Sequence, residues 1–321
     1  MKVLVIPGLT LPEVSETDID RIRVAAGAGS EVIVTRQREA TKHAGDAEVI
    51  LGFVPESLFH AAPKLRWVHA IASGVDAFLY PEFVNSKVIL TSEKGLVGEH
   101  LADHGFGLLL MLTRQLAAAD RMGPDSWNHR PELRSEELEL TGLTMGIIGF
   151  GGTGRAMARR AAAFGMSVRA VDRDPVPLSP EVATVEPVDD LKKLLAGSDV
   201  VAVCCPLTVD TSGMLNADTF QHMKPTAFLV NVTRGEVMVE ADLITALTSG
   251  IIRGAALDVV PREPLPADSE LWSLPNVVMT PHTAGASQFR AHRNLERFIA
   301  NLERLGRQAP LEGIIDKSQG Y

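Results

Sequence analysis

The chain has 321 residues, 45% of them hydrophobic and 22% charged, the balance of a soluble globular protein long enough for two domains. Its formal net charge of −9 disfavours nucleic acid or an anionic membrane as main partner, although a few local cations can still receive a small anion. The two cysteines, Cys204 and Cys205, are adjacent and exclude a disulfide framework, and no Cys/His group has zinc-ligand spacing, so no metal is expected.

The N-terminal run Lys2–Ile6 is too short for a signal peptide and reads as a first strand. No apolar run approaches the ~18 residues of a membrane span, and a cytoplasmic protein is expected. Val32–Val34, Val49–Leu51, Trp67–His69 and Val88–Leu90 predict further buried strands, with helical patterns such as Pro55–Ala61 between some of them. Val97–Arg114 predicts a longer helix. The polar segment Asp120–Glu139, broken by Gly123-Pro124 and Pro131, predicts an arm or loop. A second alternating region has strands at Met145–Ile148, Val168–Val171, Val200–Cys204, Phe228–Val230, Ala255–Leu257 and Val277–Met279. Its helices are predicted at Arg155–Phe164, Asp189–Leu195 and Glu240–Thr248, with a Pro-rich loop at Pro175–Pro180 and a final helix at Ala291–Leu305. Such alternation implies parallel sheets covered by helices.

Gly149-Phe150-Gly151-Gly152-Thr153-Gly154 fits the dinucleotide pattern G-x-G-x-x-G between a buried strand and an Ala-rich helix. Gly149 suits the tight turn, Gly151 the approach of backbone to a pyrophosphate, and Gly154 the packing of helix on strand. The helix N-terminus offers N–H groups and positive partial charge to phosphates. Asp172, ending the next strand, can accept hydrogen bonds from the adenosine ribose. That favours NAD over NADP, with Arg173 as the one neighbour able to meet a 2′-phosphate instead.

Ligands of open parallel sheets bind outside the carboxyl ends of the strands. There the second region places Asn231, Val232, Thr233, Arg234 and Gly235; Asp258 and Glu263; and Thr280, Pro281 and His282. Each alone has an ordinary explanation: a structural histidine, a carbonyl-capping arginine, a loop-capping aspartate. Their convergence on one edge points to chemistry. An imidazole exchanges protons near neutral pH, a carboxylate beside it fixes its tautomer, and a guanidinium grips a carboxylate through two parallel hydrogen bonds.

These blocks resemble the D-isomer-specific 2-hydroxyacid dehydrogenases over nearly the whole chain, most strongly from Leu143 to Gly285. Thr144–Val168 resembles the family's strand, glycine loop and helix. Pro206 with Leu207–Thr211 resembles its proline–leucine–threonine turn beside the cofactor. Asn231–Gly235, Leu257–Pro264 and Thr280–His282 resemble its three catalytic blocks. The resemblance implies that Arg234 binds the substrate, His282 is the acid/base, Glu263 orients it, and Asp258 faces the nicotinamide. It also assigns Cys205, Pro206, Thr211, Val232, Thr233 and Gly285 to the cofactor, with Gly152 and Thr153 in the phosphate loop. The loop Ala72-Ser73-Gly74-Val75 resembles the family's substrate-carboxylate loop, with Ser73 and Gly74 supplying backbone N–H groups, and Gly52-Phe53-Val54 is expected near the mouth.

The fold so implied is α/β, with two doubly wound parallel-sheet domains. A Rossmann-type cofactor domain (99–291) is inserted into a flavodoxin-like substrate domain (1–98 with 292–321), catalysis lying in the cleft between them. The implied partners are a small 2-keto or 2-hydroxy acid and a second copy of the chain, with Asp120–Glu139 in the dimer contact and Trp127 either an interface anchor or a core side chain. Two departures stand out: Gly152-Thr153 where the family often has Arg-Ile, and Cys204-Cys205 where it often has a histidine, either a nucleophile or a small buried apolar pair. Alternative functions that share the triad are a dinucleotide-sensing, corepressor-like binding protein and a phosphite dehydrogenase-like enzyme.

Overall fold

The computed structural model describes residues 1–182 and 184–321. In chain order its elements are β1 (Lys2–Val5), α1 (Glu16–Ala26), β2 (Glu31–Val34), β3 (Val49–Leu51), α2 (Glu56–His60), β4 (Trp67–His69), α3 (Pro81–Val84), β5 (Ile89–Thr91), α4 (Gly98–Thr113), α5 (Leu116–Met122) and α6 (Arg130–Glu136). There follow β6 (Thr144–Ile148), α7 (Gly152–Ala163), β7 (Ser167–Asp172), β8 (Val185–Pro187), α8 (Leu191–Gly197), β9 (Val200–Val203), α9 (Ala217–Phe220), β10 (Phe228–Asn231), α10 (Glu240–Thr248), β11 (Gly254–Leu257), β12 (Val277–Met279) and α11 (Arg290–Gly306). The chain divides into two compact units, Met1–Val97 with Ala286–Tyr321, and Gly98–Gly285.

The first unit holds a five-stranded parallel sheet in the order β2-β1-β3-β4-β5. Alternate residues of its strands feed two separate cores. Leu4, Ile50, Val68 and Leu90 pack on one face with Phe83, while Val3, Val5, Val49, Leu51 and Trp67 pack on the other with α11. That period of two, with apolar residues on both faces, is what a sheet covered on both sides demands. Along α11, Leu295, Phe298, Ile299 and Leu302 form the buried stripe, and Phe298 stacks on Trp67 with ring centroids 5.1 Å apart.

The second unit holds a seven-stranded parallel sheet in the order β12-β11-β10-β9-β6-β7-β8. Met145, Ile147, Ala202 and Val230 face a core shared with α4 and α7, while Ile148, Val201, Val203 and Leu229 face one shared with α8 and α10. The order reverses direction between β6 and β9. The loops after these two strands therefore border the crevice where a doubly wound sheet receives its ligand.

Two parts differ from expectation. The segment Asp120–Glu139 is not an irregular arm: a 3-10 turn (Gly123–Trp127) and α6 lie within it, and α5 runs into it. None of these residues is buried except Ala117, so no apolar stripe marked them as helical. Trp127 is 78% exposed, which removes the core alternative for it. The strand β8 was not expected because Val-Glu-Pro carries too little apolar content. It is an edge strand ending in proline, where a missing N–H costs no ladder bond. Among the described residues no helix is long and apolar enough to cross a membrane.

His69 ends β4 fully buried, with Nδ1 2.6 Å from Thr91 Oγ1 and Nε2 without a hydrogen-bond partner among the described residues. Burial, with a smaller contribution from the Arg297 charge, pushes its pKa from 6.5 down to about 3. A depressed folded pKa means that the unfolded chain takes up a proton that the native chain refuses. Stability is therefore intact above the ordinary histidine value and declines as pH falls from there towards the folded value. At pH 5 the loss is ~2 kcal/mol. We expect urea midpoints measured at pH 7 and pH 5 to differ more for the native protein than for His69→Gln. Equal differences would show that His69 is not the group responsible.

Candidate active site

At the crevice of the second sheet, Gly149 has φ +90°, and a Cβ there would lie 2.7 Å from the backbone N and Cα of Cys205. Glycine is therefore required by conformation and by the close approach of the loops after β6 and β9. A Cβ on Gly154 would overlap the carbonyl oxygen of Gly149, so the third glycine lets α7 start against the turn. Gly151, by contrast, faces open space, with nothing within 4 Å of where a side chain would begin. That opening, at the N-terminus of a twelve-residue helix containing Gly152, Thr153 and Gly154, fits a pyrophosphate.

Asp172 stands at the same loop. One carboxylate oxygen accepts the Phe150 N–H at 2.6 Å and the other the Asp174 N–H at 3.0 Å. Arg173 meets Asp174 at 3.4 Å, an exposed pair. In the loop after β9, Thr211 Oγ1 donates to Pro206 O at 2.7 Å and accepts from Thr208 N at 2.8 Å, closing the turn. Cys204 and Cys205 are both buried, in the cores on opposite faces of the sheet. Burial pushes the Cys205 thiol up to about 12 and raises that of Cys204 as well, so neither supplies a thiolate near neutral pH. They are small apolar residues, not nucleophiles.

The three residues singled out in the sequence lie in the loops after three neighbouring strands: Arg234 after β10, Glu263 after β11 and His282 after β12. Asn231, fully buried, shapes the first loop. Its side chain donates to Arg234 O at 2.9 Å and accepts from Thr233 N at 3.1 Å. Val232 is buried beside it and Arg234 Nη1 donates to Thr233 O at 2.7 Å. The next residue, Gly235, touches the following loop: a Cβ would overlap the carbonyl group of Val260 and lie 2.5 Å from Pro261 N. Three residues beyond Val260, Glu263 accepts the Val260 N–H at 3.2 Å through Oε1 and meets His282 Nδ1 at 2.7 Å through Oε2. His282 and Glu263 side chains are 46% and 36% exposed, so the imidazole is held at Nδ1 and solvent-accessible.

Asp258 is 2% exposed, and both its oxygens are engaged by the loop that carries His282. Oδ1 accepts from Thr280 Oγ1 at 2.6 Å and Thr283 N at 2.8 Å, and Oδ2 accepts from Ala284 N at 2.9 Å, one residue before Gly285. These bonds hold His282 at φ +54°. The left-handed conformation costs roughly 1–2 kcal/mol for a residue with a Cβ, and each hydrogen bond to a charged group contributes about 1.5–3 kcal/mol, so the network outweighs the strain.

Ser73 and Gly74 lie in the first unit, half-buried in the loop after β4, where Ala72 O accepts the Glu93 N–H at 3.3 Å. Asn231 and Thr280 fall inside blocks singled out in the sequence, while His104 does not. His104 lies within the apolar helix α4, and its Nε2 is 2.7 Å from Thr280 Oγ1.

Residues 106–284 match the NAD binding domain of the D-isomer specific 2-hydroxyacid dehydrogenases. The glyoxylate reductase of Korarchaeum cryptofilum is 36% identical over 305 residues, covering 92% of this chain and 89% of that protein. The glyoxylate reductase of Pyrococcus furiosus is 35% identical over 252 residues, 77% of this chain and 74% of that one. Among solved structures, a D-isomer specific 2-hydroxyacid dehydrogenase from Xanthobacter autotrophicus, in complex with NADPH and MES, superposes with a TM-score of 0.82 at 28% identity over 99% of both chains. The NADPH-dependent glyoxylate/hydroxypyruvate reductase of Sinorhizobium meliloti, with NADP and sulfate, gives 0.80 at 26% identity over 100% of both.

The Gly235 contact generates a prediction. Gly235→Ala must push apart the loops that carry Arg234 and Glu263, since the atoms met are backbone. We expect a destabilisation of about 1–3 kcal/mol in denaturant unfolding, with turnover falling far more than the folded fraction does. Native-like turnover would mean that the two loops adjust independently.

Proposed function

The chain belongs to the D-isomer specific 2-hydroxyacid dehydrogenase family, oxidoreductases that transfer hydride between a nicotinamide dinucleotide and small 2-keto or 2-hydroxy acids, and we propose that its own reaction is the NADH-dependent reduction of glyoxylate or a 2-keto acid of similar size. The observation that carries the reading is the His282–Glu263 pair at 2.7 Å, one strand end away from Arg234. The size of the substrate is taken from the glyoxylate reductases to which the chain is similar in sequence.

In this reading the bound dihydronicotinamide supplies the hydride to the carbonyl carbon. Arg234 pairs its guanidinium with the substrate carboxylate and draws electron density onto the carbonyl oxygen. His282, held at Nδ1 by Glu263, gives its Nε2 proton to that oxygen as negative charge develops. Glu263 fixes the ring's tautomer and orientation through Nδ1. Oxidation of the hydroxy acid runs the same steps backwards, with neutral His282 as base. Ser73 and Gly74, at the carboxyl end of β4, are assigned to the substrate carboxylate. Asp172, at the end of β7 and hydrogen-bonded to the glycine loop, is assigned to the ribose hydroxyls. The exposed Trp127 and Leu116, 78% and 53% accessible, suit a contact with a second copy of the chain.

Arg234→Ala is expected to abolish turnover of every 2-keto acid in a panel of glyoxylate, hydroxypyruvate, pyruvate and phenylpyruvate. Arg234→Lys should retain little, because an ammonium lacks the two-pronged geometry. NADH affinity, read by fluorescence, should change little in either. A fully active Ala variant, or a native protein that binds NADH and turns over none of the panel, would overturn the assignment.

The cofactor preference is tested at Asp172. A 2′-phosphate placed against this carboxylate meets like charge at a cost of several kcal/mol, so a preference for NADH over NADPH on the order of a hundredfold is expected. The Xanthobacter and Sinorhizobium structures hold NADPH and NADP, which makes the comparison a decisive one. Asp172→Ser should shift the ratio of catalytic efficiencies towards NADPH. A native enzyme that prefers NADPH, or a ratio untouched by the substitution, would defeat this choice.

A further inference from the structure

We propose that His104 and Thr280 are positioning residues for His282, acting through the buried carboxylate of Asp258. The proposal rests on the reading of His282 as the proton donor.

The direction of each hydrogen bond follows from counting hydrogens. Asp258 Oδ1 lies 2.6 Å from Thr280 Oγ1 and also receives the Thr283 N–H at 2.8 Å. Thr280 has one hydroxyl hydrogen and gives it to Asp258. Its oxygen is then an acceptor towards His104 Nε2 at 2.7 Å, so that nitrogen carries a hydrogen. His104 Nε2 is also 3.4 Å from Asp258 Oδ1. The result is a directed chain, His104 to Thr280 to Asp258, that ties helix α4 to the loop after β12.

Both remaining members of that chain hold the backbone of His282. Its N–H donates to Asp258 O at 2.8 Å and to Thr280 O at 3.0 Å. A shift of Thr280 therefore changes the support of a residue already kept at φ +54°, and with it the aim of an imidazole whose far nitrogen must reach the substrate oxygen. The platform beneath is firm. Gly105, next to His104, lets α4 press on β10 so closely that a Cβ would lie 3.3 Å from Val230 Cγ1, and Leu108 and Leu109 are buried in the same core. His104 thus refers the position of the catalytic loop to the packed centre of the second unit.

The experiment compares His104→Phe, His104→Gln, Thr280→Val and Thr280→Ser in the full-length protein with NADH and the keto acid it reduces fastest. His104→Gln keeps an N–H donor near the place of Nε2, and Thr280→Ser keeps the hydroxyl. We expect His104→Phe and Thr280→Val to lower kcat by about tenfold to a hundredfold, the scale of a small misplacement of a reacting group. The KM for the keto acid and the Kd for NADH, which depend on other residues, should stay within about threefold, and the Gln and Ser variants should recover most of the loss. Native kcat in His104→Phe would overturn the proposal, as would Gln and Ser variants that fall as far as the disruptive ones. Should His104→Phe fail to fold, Thr280→Val, of similar shape to the native residue, decides by the same criteria. His282→Asn separates the two levels of inference. If it keeps native turnover, the underlying assignment of His282 fails; if it is inactive while His104→Phe is native-like, only the positioning role fails.

Discussion

The loops after β10 and β11 touch backbone to backbone, and the rest of the site follows from that contact. A Cβ on Gly235 has no room beside the Val260 carbonyl. Arg234 precedes this point by one residue and Glu263 follows Val260 by three, so the guanidinium and the carboxylate belong to one rigid piece. The parallel sheet makes this geometry available. Neighbouring strands lie about 4.8 Å apart and all end on the same edge, so three consecutive strand ends can present three side chains to one small molecule. No single loop could hold them as firmly.

Rigidity and chemistry are divided between two carboxylates on the same loop. Glu263 is partly exposed and meets the imidazole of His282. Asp258 is buried and spends both oxygens on the 280–284 loop. A buried carboxylate is costly unless it is fully hydrogen-bonded. Here the donors are two backbone N–H groups and a hydroxyl, which forces the loop into one arrangement rather than several. The left-handed φ of His282 is the visible consequence: strain at the residue paired with Glu263, offset by the carboxylate beneath it.

Much of this was legible in the residues themselves. The runs Val49–Leu51, Trp67–His69 and Val277–Met279 are strands with those limits, because only a strand buried on both faces explains short, unbroken apolar runs between turns. Arg234, Glu263 and His282 could be picked out because they converge on one edge of the sheet, although each alone has an ordinary explanation. The rest was hidden for definite reasons. Helix α6 buries nothing and β8 is three residues of an edge, so neither imposes a period on the sequence. His104 sits among Leu101, Phe106, Leu108 and Leu109, and only the register of α4 against β12 brings it to Thr280. The direction of Asp258, towards its own loop, depends likewise on packing that no spacing encodes.

The glycine loop shows how a missing side chain is accommodated. Positions 152 and 153 carry no cation, and the nearest one, Arg155, is committed elsewhere: its guanidinium lies 4.7 Å from the Phe150 ring centroid and donates to Pro177 O. Positive potential at this loop therefore comes from the backbone. The first turn of α7 supplies it, and α4 begins close by, since a Cβ on Gly98 would lie 2.5 Å from Gly152 O. An arginine at 152 would add a flexible charge that acts through one side chain. Backbone N–H groups are fixed by the fold, lose no rotamer freedom on binding, and recognise a pyrophosphate by its shape as well as its charge. A loop of this kind is indifferent to the 2′ position, some distance along the dinucleotide; Asp172 and Arg173 stand side by side with opposite charges at the end of β7.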